Sequence, residues 1–368
     1  VSHVPVSQLG YVAGIRALAA AAMDPEELEL VVLGSCTGDD QMPNTASNIQ
    51  RSLGASRAAA MDVNTACTSF MYGLSTASAL IKSGAVQNAL VIGADTLSAF
   101  MDWDNRTPSV LFGDGAGAVV IRSSDEPYGI LSEVLGCVYS SRDELRINGI
   151  GSAFANAGFT LGTTDWDFNG PEIFKQAVLG MSSGARQVLA KSGYSSEEID
   201  LVIPHQANLR IVEAVARRTG FPMERVFTNL QTRGNLSSAS IPVALVEALE
   251  QSRIQAGNLI LIPAFGGGMT WSAHVIRWGQ RTSPMGYSTI ELPSPDRTAL
   301  DIVSALRESK GLKPNRDVWE ARNDFPPVRQ RRPMSSSGGE DISRPSRHSE
   351  DTVTTGLREH VLDGTEDS

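Results

Sequence analysis

Residues 61–70, MDVNTACTSF, place one cysteine, Cys67, between two elements of different period. Ahead of it, residues 57–63 read as a strand. Behind it, residues 68–83 read as a helix, with Phe70, Leu74, Ala77 and Ile81 at helical spacing, Lys82 in the last turn and Gly84 as a stop. A cysteine just before a helix sits where unpaired backbone N–H groups and the positive end of the helix dipole converge, and both favour the thiolate. A thiolate can take an acyl group. A lone cysteine can equally be a small buried hydrophobe, so residues farther along must decide.

Outward from Cys67 the chain alternates strand and helix. Residues 11–23 are Ala-rich and read as a helix, 29–33 as a buried strand, and 48–53 as a helix after a polar loop. Residues 88–92 form another apolar strand. FGDGAGAVVIR (112–122) is a glycine-rich turn feeding a strand; it lacks the spacing of a dinucleotide fingerprint and suits tight backbone packing beside a site. Residues 126–167 look irregular. Helical character resumes over 170–189, and a strand over 199–203 runs into His205 and a helix up to Arg218. Asn235 precedes a helix with Pro242 in its first turn, and 258–263 is a last strong strand.

The chain echoes itself. DPEELELVV (24–32) corresponds to SSEEIDLVI (195–203), and VQNALVIGA (86–94) to QAGNLILIPA (255–264). Two related strand–helix halves are expected, residues 1–124 and 125–280, with Cys67 and Asn235 at matching helix starts facing a shared centre. Residues 281–312 form an extension with one helix over 296–310. From 313 to 368 the chain is rich in Arg, Pro, Ser, Glu and Asp, cannot bury a core, and is expected to be disordered.

Composition narrows the function. The 368 residues are 41% hydrophobic and 20% charged, ordinary globular values, and the net charge of −10 argues against nucleic acid as a partner. Cys36, Cys67 and Cys137 are odd in number and widely spaced. They suggest neither a disulfide framework nor a zinc site, and point to a reducing cytoplasm. No apolar run approaches membrane-spanning length. The start, VSHVPVSQLG, lacks the regions of a signal peptide and opens on Val1, as a fragment or processed chain does.

His205 is the interior histidine that follows a buried strand; His274 lies inside the strand-like AHVIRW. With Cys67 and Asn235 it makes a three-part set in the motifs IPHQANLR (203–210), GNLSSAS (234–240) and AFGGGMTW (264–271). On these motifs, in this order, the chain resembles the β-ketoacyl-acyl-carrier-protein synthase III family from about residue 10 to about 279. The resemblance implies a thiolase-like α/β fold: two similar halves stacked helix–sheet–helix–sheet–helix, in a homodimer. It implies an acyltransferase that condenses an acyl-coenzyme A primer with malonyl-acyl-carrier protein, releasing carbon dioxide, with no cofactor or metal and no membrane partner.

The implied roles suit the residue types. Cys67 carries the acyl group. The backbone N–H groups of Cys67 and Gly267 stabilise the oxyanion, and the glycine run admits close backbone approach. His205 and Asn235 donate to the enolate oxygen left by decarboxylation. Arg106, Gly170 and Asn208 match coenzyme A positions, though Arg106 also reads as an ordinary loop arginine. Phe265 lines the acyl pocket or simply packs; Met42 sets pocket length across a dimer contact or is a surface-loop residue. Lys175, Arg210 and Arg217 form a basic face for an acidic carrier protein or a merely solvated one. The resemblance further implies N-terminal residues absent from this chain, among them a first strand in the centre of the first sheet. An acyl- or carrier-protein-binding relative without turnover is therefore a second reading, and a cysteine hydrolase a third.

Overall fold

Leu30, Val31, Val32 and Leu33 are all buried, yet they serve two different cores. Side chains alternate along a strand, so β1 (Leu30–Gly34) sends Leu30 and Val32 to one face and Val31 and Leu33 to the other. A strand apolar on both faces must lie between two layers. The chain, as a computed structural model, describes residues 1–149 and 164–311, all within one compact unit, Val1–Lys313. The tail expected from residue 313 lies outside the described residues.

The first sheet has the order β2-β1-β3-β4, from β2 (Ala59–Val63), β3 (Asn88–Thr96) and β4 (Asp114–Arg122). β1 is parallel to β2 and β3, and β4 is antiparallel to β3. The second sheet has the order β5-β10-β9-β8, from β5 (Gly129–Cys137), β8 (Leu201–Val202), β9 (Leu259–Gly266) and β10 (Thr270–Arg277). A small hairpin pairs β6 (Leu145–Asn148) with β7 (Asp165–Phe168).

Five layers follow from which helix buries which face. α1 (Val6–Ala21) and α2 (Thr45–Leu53) cover one side of the first sheet through Val6, Leu18, Ile49 and Leu53. Two helices fill the space between the sheets. α3 (Ser69–Lys82) gives Leu74 and Ala77, and α6 (Ser240–Glu250) gives Ala244, Leu245 and Ala248. They touch Val32 and Val91 on one side and Ile260 and Ile262 on the other. On the far side of the second sheet, α4 (Gly170–Ser192) and α5 (Leu209–Thr219) pack through Val188 and Val212 onto Leu261 and Val275. The layering is helix–sheet–helix–sheet–helix, as the motifs imply. α7 (Ala299–Gly311) follows the second sheet.

The echo has a local cause. Asp24 with Glu27, and Ser195 with Glu198, each close a reciprocal capping box on a one-turn helix just before β1 and β8.

Three expectations change. Residues 126–167 are not irregular throughout: β5, β6 and β7 lie there, and β5 exists by pairing with β10, a contact no local pattern announces. His205 does not open a helix. It sits in the loop after β8, and α5 starts at Leu209, where the Asn208 side chain accepts from Arg210 N–H at 2.9 Å and caps it. The first sheet has no gap at its centre, because β1 pairs directly with β3 from Val31↔Leu90 to Gly34↔Gly93.

Candidate active site

Cys67 follows β2 and lies two residues before α3, as its flanking pattern predicts. It is reached through Ala66, whose φ of 53° is left-handed, a conformation uncommon outside glycine. This bend sets Cys67 against the end of β9. A Cβ on Gly266 would come 2.8 Å from Cys67 N and 3.0 Å from Thr65 O, so the strand reaches the cysteine backbone only because residue 266 is glycine. Gly267 comes next and runs beside Ala66, with Ala66 Cβ 3.4 Å from where its own Cβ would stand.

The helix start does not make Cys67 a resting thiolate. Burial, with the nearby Asp95 carboxylate, pushes its thiol up to about 12, against a hydrogen bond from Ser237 that favours ionisation. Desolvation outweighs the helix end because Cys67 is only 7% exposed. Cys36 lies close by, its Sγ 3.8 Å from the same Ser237 hydroxyl, and its thiol is raised too, first by burial and then by Asp95.

Asn235 is buried in the turn before α6, backed by Phe112, with Gly113 N–H donating to its carbonyl at 2.9 Å. Its side-chain Oδ1 accepts from Ser237 N–H at 2.8 Å and from Ser240 Oγ at 3.5 Å. With the oxygen engaged, the amide Nδ2 is the group left to donate elsewhere. Ser237 thus stands between the cysteines and Asn235: its N–H holds Asn235 Oδ1, and its hydroxyl lies 3.8 Å from Cys36 Sγ.

His205 is buried, and its backbone N–H donates to Pro263 O at 2.9 Å on β9, the strand that ends against Cys67. Gln206 fixes the loop, donating to Pro204 O at 2.7 Å and accepting from Asn229 N–H at 3.1 Å. Burial lowers the His205 imidazole to about 4, so it is neutral at pH 7. His274 is a different case: its Nε2 lies 2.8 Å from Ser75 Oγ and 3.5 Å from Glu133 Oε2, a cluster between α3 and the second sheet.

The peripheral candidates scatter. Phe265 is buried with Met181 and Val215, on the face of β9 opposite Ala264. Met42 is 87% exposed on the β1–α2 loop. A groove of about 640 Å³ beside that loop, lined by Asp39, Asn44, Arg51 and Ser56 among others, contains none of the three motif residues. Arg106, Arg210, Arg217 and Lys175 are exposed, and Lys175 is paired with Glu172 at 3.1 Å. Gly170 opens α4, and Asn208 caps α5. Sequence reasoning missed Ser237, Gly266, Cys36 and Asp95. The first two lie inside quoted motifs; the last two are joined to the site only by the fold.

Among the described residues, no His, Cys, Asp and Glu group is arranged to hold a metal ion, and no helix is long and apolar enough to cross a membrane. Residues 61–138 match the family described as 3-oxoacyl-[acyl-carrier-protein (ACP)] synthase III, and residues 189–278 match its C-terminal part. The chain is 46% identical over 308 residues to beta-ketoacyl-[acyl-carrier-protein] synthase III 2 of Vibrio cholerae, covering 84% of this chain and 85% of that protein. It is 47% identical over 274 residues to the synthase III of a Roseiflexus species, covering 74% and 83%. Its fold is similar to the crystal structure of 3-oxoacyl-[acyl-carrier-protein] synthase III from Aquifex aeolicus, with a TM-score of 0.70 at 41% identity, covering 75% and 86%.

Proposed function

This chain belongs to the 3-oxoacyl-[acyl-carrier-protein] synthase III family, and from that premise we propose how its own residues divide the reaction. It is an acyltransferase of the condensing type, which joins an acyl-coenzyme A primer to malonyl-acyl-carrier protein and gives a 3-oxoacyl product. Nothing in the comparisons supports a binding relative without turnover.

Cys67 takes the acyl group. Its sulfur attacks the thioester carbonyl, the bond to the coenzyme A sulfur breaks, and the thiol proton leaves with that sulfur. A buried thiol keeps its proton until substrate arrives, which limits stray alkylation. The backbone N–H groups of Cys67 and Gly267 receive the oxyanion. Malonyl thioester then enters, its carboxylate leaves as carbon dioxide, and the bonding pair becomes an enolate. Asn235 Nδ2 and a neutral His205 Nε2–H donate to the enolate oxygen. The enolate carbon attacks the acyl carbonyl, the C–S bond to Cys67 breaks, and the sulfur regains a proton.

The observation that carries this division is the Asn235 amide, whose oxygen is held by Ser237 N–H at 2.8 Å, so that its Nδ2 is left to donate. Decarboxylation needs donors that do not become proton sinks, and an amide and an imidazole held neutral are such donors. The carrier protein docks on the exposed face of Arg210 and Arg217, with Lys175 at its margin. Arg106, Gly170 and Asn208 lie toward coenzyme A. The enzyme works as a cytoplasmic homodimer without resident cofactor or metal. Its two sheet-bearing halves, 1–124 and 125–280, act as the units of this division, with 281–312 as an extension.

Intact-protein mass after incubation with a panel of acyl-coenzyme A donors, together with carbon dioxide release from malonyl thioester, tests the proposal. An acyl adduct mapped to Cys67 and carbon dioxide release that depends on Asn235 support it. An adduct on Cys36 or Cys137, or release indifferent to Asn235, overturns it.

A further inference from the structure

Asp95 is completely buried at the end of β3. Its Oδ1 accepts from Ser35 Oγ at 3.0 Å, Cys36 N–H at 2.9 Å and Thr37 Oγ1 at 2.7 Å, all on the loop after β1. Its Oδ2 accepts from Ser238 N–H at 3.0 Å and Ser238 Oγ at 2.7 Å, on the turn that carries Asn235. A buried carboxylate is tolerated only when such donors replace its water. Here the donors come from residues 35–37 and from residue 238, so one side chain ties the loop after β1 to the turn that carries Asn235.

The junction is close and strained. A Cβ on Gly93, two residues before Asp95 on β3, would stand 2.4 Å from Ser238 O. Ser237, between Ser238 and Asn235, has a φ of 52°, which a serine adopts only when its surroundings impose it. Ser238 is fixed by Asp95 on one side of this strained residue, and Ser237 N–H holds Asn235 Oδ1 on the other. The geometry of the Asn235 amide therefore depends on a carboxylate that does not itself meet substrate.

Resting on the division of roles above, we propose that Asp95 is a positioning residue for the decarboxylation step, holding the Asn235 turn so that the amide N–H points at the enolate oxygen. Asp95→Asn keeps the size but replaces one of the two accepting oxygens with an NH₂ group, which faces the donors of one loop, so that loop is released. Carbon dioxide release from malonyl thioester falls about ten- to a hundredfold in this variant, short of the roughly 10²–10³ that removing an oxyanion donor costs. Acyl loading of Cys67 changes little.

The test compares loading and decarboxylation in wild type, Asp95→Asn, Asn235→Ala and the double variant. Positioning through Asn235 makes the effects non-additive: the double variant decarboxylates no more slowly than Asn235→Ala alone. A second readout is the pH profile of Cys67 alkylation by iodoacetamide. The Asp95 charge opposes the thiolate, so its removal lets alkylation rise at lower pH. Ser238→Ala keeps that charge and should slow decarboxylation several-fold without moving the alkylation profile. If Asp95→Asn does not fold, Ser238→Ala and its double variant with Asn235→Ala carry the same comparison. Equal loss of loading and decarboxylation, or full additivity with Asn235→Ala, overturns the inference. A wild-type protein that neither loads Cys67 nor releases carbon dioxide instead overturns the division of roles itself, and the inference with it.

Discussion

β4 and β10 hold equivalent places in the two sheets, each antiparallel to a long buried strand, β3 or β9. β10 has a second antiparallel neighbour, β5, and its Ala273, His274 and Val275 are wholly buried. Among the described residues β4 pairs with β3 alone, and most of its side chains are half-buried. The second sheet, whose β8 leads into the His205 loop, is thus closed on the side where the first is open. A strand is buried by its second neighbour, not by its own apolar content, since Val119, Val120 and Ile121 are as apolar as any residue of β10. On the proposed reading the site crosses this asymmetry, with the acyl-accepting Cys67 from the first half and the enolate donors His205 and Asn235 from the second.

If that division holds, the largest effect is the loss of the first half's nucleophile. Cys67→Ala abolishes acyl transfer, while Cys36→Ala and Cys137→Ala spare it; peptide mapping of the adduct checks this. Next comes the second half's donor. Asn235→Ala still loads an acyl group, but carbon dioxide release drops by roughly 10²–10³. Near-normal release from that variant would erase the functional difference between the halves.

The structural side of the comparison is sharpened by a pair of matched substitutions. Val275→Lys, on the doubly paired β10, buries an unpaired charge and costs several kcal/mol, enough to unfold a marginal domain. Val120→Lys, on β4, can send its ammonium past the open edge and costs less. Similar melting temperatures for the two would show that the β4 edge is covered.

The smallest effect is on stability in acid. The His205 imidazole in the folded protein lies at about 4, below its ordinary 6.5, because burial disfavours its charge. The unfolded chain therefore binds the proton first as pH falls. This residue costs no stability above about pH 6.5, and the loss grows down to about pH 4. By pH 5 it amounts to about 2 kcal/mol. His205→Gln removes this part of the acid sensitivity, which urea titrations at pH 7 and pH 5 would reveal as a smaller shift between the two midpoints than in wild type.

The place of Cys67 between a strand and a helix was legible because a strand, a turn and an amphipathic helix are local patterns. His205 and Asn235 were legible through the motifs around them, although the helix expected at His205 begins only at Leu209, where Asn208 supplies the cap. The charge state of Cys67 was not legible. The helix end was visible in sequence, but the burial and the Asp95 carboxylate that outweigh it are products of packing. β5 was missed for the same reason, since its pairing with β10 joins residues more than a hundred positions apart.

Taken alone, the sequence determined the alternation of strand and helix, the echoed stretches 24–32 and 195–203 that lead into β1 and β8, and the motifs around Cys67, His205 and Asn235. Each of these is written in spacings of a few residues. Only the tertiary structure decided that β1 pairs directly with β3, that Phe265 packs with Met181 and Val215, and that Asp95 binds the loop carrying Cys36 to the turn carrying Asn235. Those outcomes depend on which surfaces meet and which polar groups lose water when they do, and neither is encoded in any short stretch of the chain.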